Sequence, residues 1–178
     1  MSIDWGKLES ELGGFKDYAP AGLYKVKLDS VEIHEVGSNG SVAQDFKFAD
    51  NENYAFPKAT HWLSFKNEGW RQLHNMKLMV VLGASEENAK KAVEACESKG
   101  DKENIIKAYQ QAYERLAKKS PEVEIEVWQD GKYGRSDFTN GSVRMSRPGD
   151  DKPQKDDGAD ILGGAEDVTA EESVDLPF

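Results

Sequence analysis

Trp62 with Lys66, and Trp128 with Lys132, Tyr133 and Arg135, set large rings beside cations on segments whose alternation reads as β-strand. Rings and cations so arranged can hold a single strand of nucleic acid without reading its sequence, because every base has a π-face and every nucleotide a charge. Lys25, Lys27 and Lys47 lie on the parity opposite the apolar residues of their own strands and extend the same chemistry. From Lys132 to Arg147 there are four bases, with Arg135 and Arg144 between, against one acid, Asp137, and Tyr133 and Phe138 are interleaved with them. Tyr54 and Phe56, in a loop ending at Lys58, could close over a bound strand or tuck onto the fold. Most strand aromatics bury, so Phe46, Phe48 and Phe65 are assigned to packing. Phe138 is kept as a candidate contact although packing suits it better, whereas Trp62 and Trp128 share their parity with polar neighbours.

Other chemistries find little support. There is no phosphate-cradling G-x-x-x-x-G-K-[ST] and no G-x-S-x-G nucleophile elbow. Cys96 and the three histidines, His34, His61 and His74, lack metal-ligand spacing. Asp45, Asp50 and Glu52 could suggest a metal nuclease, but without a spaced carboxylate repeat they read as a polar loop. The expectation is a protein that is not an enzyme and holds neither metal nor cofactor.

The elements that would position these residues change period along the chain. Trp5, Leu8, Leu12 and Phe15 approach helical spacing before "GG" and "AP" break it. "LYKVKLDSVEIHEV" alternates through Tyr24, Val26 and Leu28 and then shifts parity to Val31 and Ile33, the pattern a β-bulge produces. "VAQDFKFAD" and "ATHWLSFK" give two more strands, the latter with His61, Leu63 and Phe65 opposite Trp62, Ser64 and Lys66. Three helices follow: one through Trp70, Leu73, Met76 or Lys77, and Val80; one capped by Ser85 with Ala89, Ala92, Val93 and Cys96 on one side; one capped by Asp101 with Ile106, Tyr109, Tyr113 and Leu116 together, stopped at Pro121. Their apolar stripes are read as the sides that pack on the sheet. "EVEIEVWQ" and "KYGRSDFT" resume the strands around an Asp-Gly turn of type I′.

The predicted architecture is mainly β with a helical insert, an α+β chain. Residues 1–20 form an extension, 21–147 a five-stranded domain with the insert at 70–120 between strands three and four, and 148–178 a disordered acidic tail. That order of elements matches the OB-fold barrel. An α+β sheet with a helical layer on one face is the alternative.

The net charge of −10 over 178 residues is uneven. From Asp150 onward there are ten acids and two lysines, net −8, which leaves the body at 23 acids and 21 bases, close to neutral. The acidity therefore belongs to the tail and does not argue against a nucleic-acid partner for the body. The tail closes with "VDLPF", too short to bury against its own fold and shaped for another protein.

An acidic tail ending in Asp175, Leu176, Pro177 and Phe178 resembles the tails of bacterial and phage single-stranded DNA-binding proteins, which end in D-D-D-I-P-F or a close variant. The resemblance covers the last four to eight residues. It implies that Phe178 and its carboxylate enter an apolar, basic-rimmed pocket on replication, recombination and repair proteins such as a polymerase, primase, helicase or recombinase, with Glu171, Glu172 and Asp175 meeting the rim. The dispersed acids and the large helical insert point to a phage-type or divergent member. The expected function is to bind and protect single-stranded DNA and to recruit partners through the tip, with affinity falling as salt rises. The tail should also compete with DNA, so that removing 150–178 strengthens binding. A replication-protein adaptor or inhibitor that binds through the tail and touches no DNA is the rival.

One cysteine, and an N-terminus with acids where a signal peptide needs bases and an apolar stretch, favour a reducing cytoplasm; that the cell is bacterial, and the chain of host or phage origin, is what the resemblance of the tail implies. Homo-oligomer formation stays open.

Overall fold

A computed structural model gives the fold and describes residues 16–145. The N-terminal helix expected through Trp5 and Leu8, and the tail with Asp175, Leu176, Pro177 and Phe178, lie outside the described residues.

The parity shift in the first strand shapes the sheet. In β1 (Gly22–Val36), Val26 and Leu28 face the interior, and beyond the shift Val31 and Ile33 do. Pairing with β2 (Ser41–Phe48) runs from Val36 and Ser41 to Ser30 and Lys47, then slips so that Leu28 meets Phe48. The extra residue, Asp29, is the expected bulge, which bends a strand and increases its twist. The bent β1 serves two neighbours: β2 along its second half and β4 (Glu122–Asp130) along Gly22–Lys27. β3 (Ala59–Trp62) adds outside β2 and β5 (Tyr133–Phe138) outside β4. The result is one open, five-stranded antiparallel sheet in the order β3-β2-β1-β4-β5.

Two details depart from the sequence reading. β3 ends at Trp62, so Leu63 to Lys66 are not strand. In the β4–β5 hairpin Asp130 pairs with Tyr133, leaving Gly131-Lys132 as the turn, and Gly131 alone has a positive φ, +62°. That is the type II′ pattern, which needs glycine at the first central position only, so the turn sits one residue later than a type I′ Asp-Gly turn.

α1 (Glu68–Val81), α2 (Glu86–Glu97) and α3 (Lys102–Ala117) lie between β3 and β4. Ser85 and Asp101 cap α2 and α3 as expected, accepting from the N–H of Asn88 and Asn104, and Asn67 caps α1 by accepting from Trp70 N–H. The buried face of α1 is not the apolar stripe through Trp70 and Leu73; it carries Arg71, His74, Asn75, Leu78 and Met79. On α3 the buried row is Ile105, Tyr109, Tyr113 and Ala117, with Ile106 and Leu116 only half-buried.

The polar face of α1 is legible once its partners are seen, because buried polar groups must be hydrogen-bonded. Asn75 Oδ1 accepts from Gln44 Nε2 at 2.8 Å and Tyr113 Oη at 2.7 Å. Arg71 donates to both oxygens of Glu97, at 2.8 and 2.6 Å, and to Ser64 O at 3.0 Å. Burial raises the Glu97 carboxyl, but the bonds from Arg71 and Tyr109 outweigh it and leave its pKa below the usual value. Where β4 stops following β1, Gln110 of α3 takes over, its Oε1 accepting from Ile33 N–H at 2.7 Å and its Nε2 donating to Val31 O at 2.8 Å. A glutamine amide thus satisfies a strand edge as a neighbouring peptide would. At the centre Phe46 meets His61, Tyr113 and Phe138 edge-on, at 5.3 to 5.5 Å between ring centres.

No helix among the described residues is long and apolar enough to cross a membrane.

Candidate nucleic-acid interface

The two ends of the sheet, β3 and β5, are drawn together by side chains. His61 of β3 holds Asp137 of β5, Nε2 to Oδ1, at 2.8 Å, and its other nitrogen, Nδ1, meets His74 Nε2 of α1 at 3.0 Å. One choice of tautomers satisfies the whole chain, with His74 Nε2–H donating to His61 Nδ1 and His61 Nε2–H donating to the carboxylate. Asp137 also accepts from the backbone N–H of Phe138 and of Met145, each at 2.7 Å. His61 is fully buried and Asp137 nearly so. Burial, with the neighbouring His61, lowers the His74 pKa to about 4. The loop before β3 adds a second suture: Ser136 Oγ donates to Pro57 O at 2.6 Å, and a Cβ on Gly134 would lie 3.1 Å from Pro57 Cγ.

Over this junction lies an open cleft of about 650 Å³. Strand alternation builds it, because the residues facing away from the core on β1, β2 and β3 (His34, Ala43, Asp45, Thr60, Trp62) meet those on β4 and β5 (Trp128, Asp130, Arg135). Trp62, 41% exposed, and the half-buried Trp128 line it from β3 and from β4. A second depression of about 360 Å³ shares Trp62 and reaches Lys66, Phe65 and the β1–β2 turn at Asn39 and Gly40.

The cations of the cleft are already engaged. Lys58 Nζ bonds Asp45 Oδ2, Thr60 Oγ1 donates to Asp45 Oδ1 at 2.6 Å, and Arg135 Nε stands 3.3 Å from Asp130 Oδ2. Burial raises the Asp45 carboxyl, but Lys58 and Thr60 hold its pKa below the ordinary value. The cleft therefore presents the exposed ring of Trp62 to a ligand, whereas its charges must change partners to meet a phosphate.

Of the residues singled out in the sequence, Trp62, Trp128 and Arg135 converge in the cleft, Lys66 lies in the adjoining depression, and Tyr133, 66% exposed, continues the row of Arg135 at the hairpin tip beside Lys132. The others lie elsewhere. Phe138 is fully buried against Phe46 and has no face to offer, which corrects its place among the contacts. Tyr54 packs against the core, and Phe56 tucks edge-on against Tyr24 at 5.3 Å, so the loop is docked rather than poised over the cleft. Lys25 and Lys27 stand across from Glu124 and Glu122, Lys47 is paired with Glu32 at 2.9 Å, and Arg144 with Glu126 at 2.6 Å. None of these four lines the cleft.

His34, Asp45, Lys58 and Thr60 line the cleft and were missed as site residues. Parity could have flagged His34 and Asp45, which alternate with Ile33 and Phe46. Lys58 and Thr60 needed the fold of the loop. Among the described residues no group of three or more His, Cys, Asp or Glu side chains could hold a metal ion.

Comparison with protein-family models, curated proteins and solved structures finds no match.

Proposed function

We propose that this protein binds single-stranded DNA across the cleft, and that its sheet is the five-stranded barrel of an OB-fold. The observation that carries the reading is the convergence of Trp62 and Trp128, from β3 and β4, on one open cleft. The barrel is supported by the strand order, by β1 serving both halves of the sheet, by the helices between β3 and β4, and by the His61–Asp137 bond between the outermost strands. OB-folds bind oligonucleotides on the face of strands 2 and 3 and through the loops after strands 1 and 4. Those loops here are residues 37–40 and 131–132, and the cleft with its adjoining depression runs over that face.

In this reading successive bases stack on Trp62 and Trp128 while Arg135 and Lys58 turn from their acids to phosphates. The tip Asp175–Phe178 recruits proteins of replication, recombination and repair in a bacterial cell, as its resemblance implies. Titrating tryptophan fluorescence with oligo-dT and with duplex DNA tests the reading. Strong quenching by oligo-dT and weak quenching by duplex is the expected result. No change at low salt, with a negative gel shift, would leave the adaptor that works through the tail alone.

A further inference from the structure

On the helical side of the molecule a different surface is left uncovered. Where the end of α1 and the seam between α2 and α3 meet, two depressions of about 250 and 220 Å³ share Ala92, Ala112 and Arg115 and run into one groove. Small side chains make it: Ala84, Ala89, Ala92, Ala108 and Ala112 leave unfilled the space that larger residues would occupy between the helices, and Leu116 adds an apolar wall. Three cations line the same groove, Lys99, Arg115 and Lys119. All three are exposed and, among the described residues, none forms an ion pair. Among the described residues no acidic side chain lines either depression.

An apolar floor with an unneutralised basic rim calls for a ligand that is apolar at its point and acidic around it. The chain carries such a segment in Glu171, Glu172, Asp175, Leu176, Pro177 and Phe178. We propose that the α2–α3 groove is the docking site of this chain's own acidic tip, with Leu176 and Phe178 over the alanines and Asp175 and the glutamates against Arg115, Lys119 and Lys99.

Charge and length favour this occupant. Residues 150–178 carry net −8, whereas the other apolar stretch outside the described residues, 1–15, holds Asp4, Glu9 and Glu11 against Lys7. The residues between Met145 and Asp175 can extend to roughly 100 Å. That is several times the roughly 14 Å radius of gyration of a domain this size. The cleft is the poorer host for an acidic segment, because Asp45, Asp130 and Asp137 already line it. The tip would then rest on the helices when no partner holds it, and a partner would have to displace it. This docking does not depend on DNA binding, and it takes the place of the competition between tail and DNA that the sequence suggested.

The test uses the full chain with p-benzoylphenylalanine in place of Phe178, irradiated and mapped by peptide mass spectrometry. The expected crosslinks fall within residues 83–92 and 108–119 of the same chain, and their yield does not change on dilution. In the double variant Arg115→Glu, Lys119→Glu, both exposed positions, the yield should fall about tenfold, with circular dichroism unchanged. Crosslinks to the strands bearing Trp62 and Trp128, crosslinks to a second copy that vanish on dilution, or no crosslink at all would each overturn the proposal. So would a benzoylphenylalanine at Trp5 that reaches the groove while the one at position 178 does not.

Discussion

The sheet cleft and the helical groove differ in what they leave unsatisfied. The cleft has the exposed ring of Trp62 to offer and cations that are already paired: Lys58 with Asp45 and Arg135 with Asp130. Among the described residues the groove has no ring of its own, and Lys99, Arg115 and Lys119 stand around its alanines without an acid to meet them. On the sheet side Lys47, Lys58, Arg135 and Arg144 each have an acid as partner, so the cations between the two tryptophans are spoken for, whereas those of the groove form no ion pair among the described residues. The cleft should select by stacking and the groove by charge.

The sharpest way to separate the two is to cut the clasp beneath one of them. Asp137→Ala removes the acceptor for His61, Phe138 N–H and Met145 N–H together. Leaving buried donors unpaired should cost about 3 to 5 kcal/mol, a large part of the stability of an ordinary domain. The denaturation midpoint should fall accordingly. At temperatures where the variant is still folded, oligo-dT quenching should be lost while the crosslink from position 178 to the groove persists. Equal loss of both would mean that β3, β5 and the helices open as one unit.

Acid should attack the same side of the molecule. The folded His74 pKa is near 4, held down by burial and by His61, with Lys77 pressing the same way and Asp137 opposing, against about 6.5 in the unfolded chain. Between those values the unfolded chain binds the extra proton, so stability is complete above pH 6.5, falls as pH drops from 6.5 to 4, and levels off below. The total change is at most about 3.5 kcal/mol. Urea titrations at pH 7, 5.5 and 4 measure it, and His74→Gln should flatten that part of the profile. A variant that keeps the full slope would assign the loss to other groups.

How much of this was legible follows from what each pattern encodes. The bulge at Asp29, the caps Ser85 and Asp101, and the outward parity of Trp62 and Trp128 are local properties that a few neighbouring residues determine. The buried face of α1 was not legible: hydrophobic periodicity finds apolar stripes, and this face carries Arg71, His74 and Asn75, whose partners Glu97, His61 and Gln44 lie 26, 13 and 31 residues away. Phe138 shows the limit of parity in the other direction. It neighbours the outward Asp137 as an inward residue should, but the cations around it in the sequence drew it into the site. Nothing in composition marked the groove, because a seam of alanines is visible only when two helices are laid side by side.

Within the cleft, Trp62→Ala is the cleanest probe, since Trp62 is 41% exposed and little of the core rests on it. Base stacking on an aromatic side chain contributes about 1 to 3 kcal/mol. Oligo-dT affinity should therefore drop by about 30-fold, with the melting temperature nearly unchanged. An unaltered affinity would move the binding surface off the cleft.

The smallest effect expected is the most diagnostic of the contrast between the two surfaces. For single strands each phosphate neutralised adds about 0.7 to the slope of log affinity against log salt. Lys58 and Arg135 give up an acid for each phosphate they take, so fewer counterions are released per contact than a count of bases implies. The slope for oligo-dT should be shallow, about −1, and Arg135→Ala should change it by less than 0.7 because Asp130 is freed at the same time. Salt should weaken docking of the acidic tip more steeply, since Arg115, Lys119 and Lys99 have no acid among the described residues to return to. A DNA slope steeper than about −3 would reverse this order, and it would assign the backbone to Lys66, Lys132 and the outward lysines of β1 rather than to the paired cations between the two tryptophans.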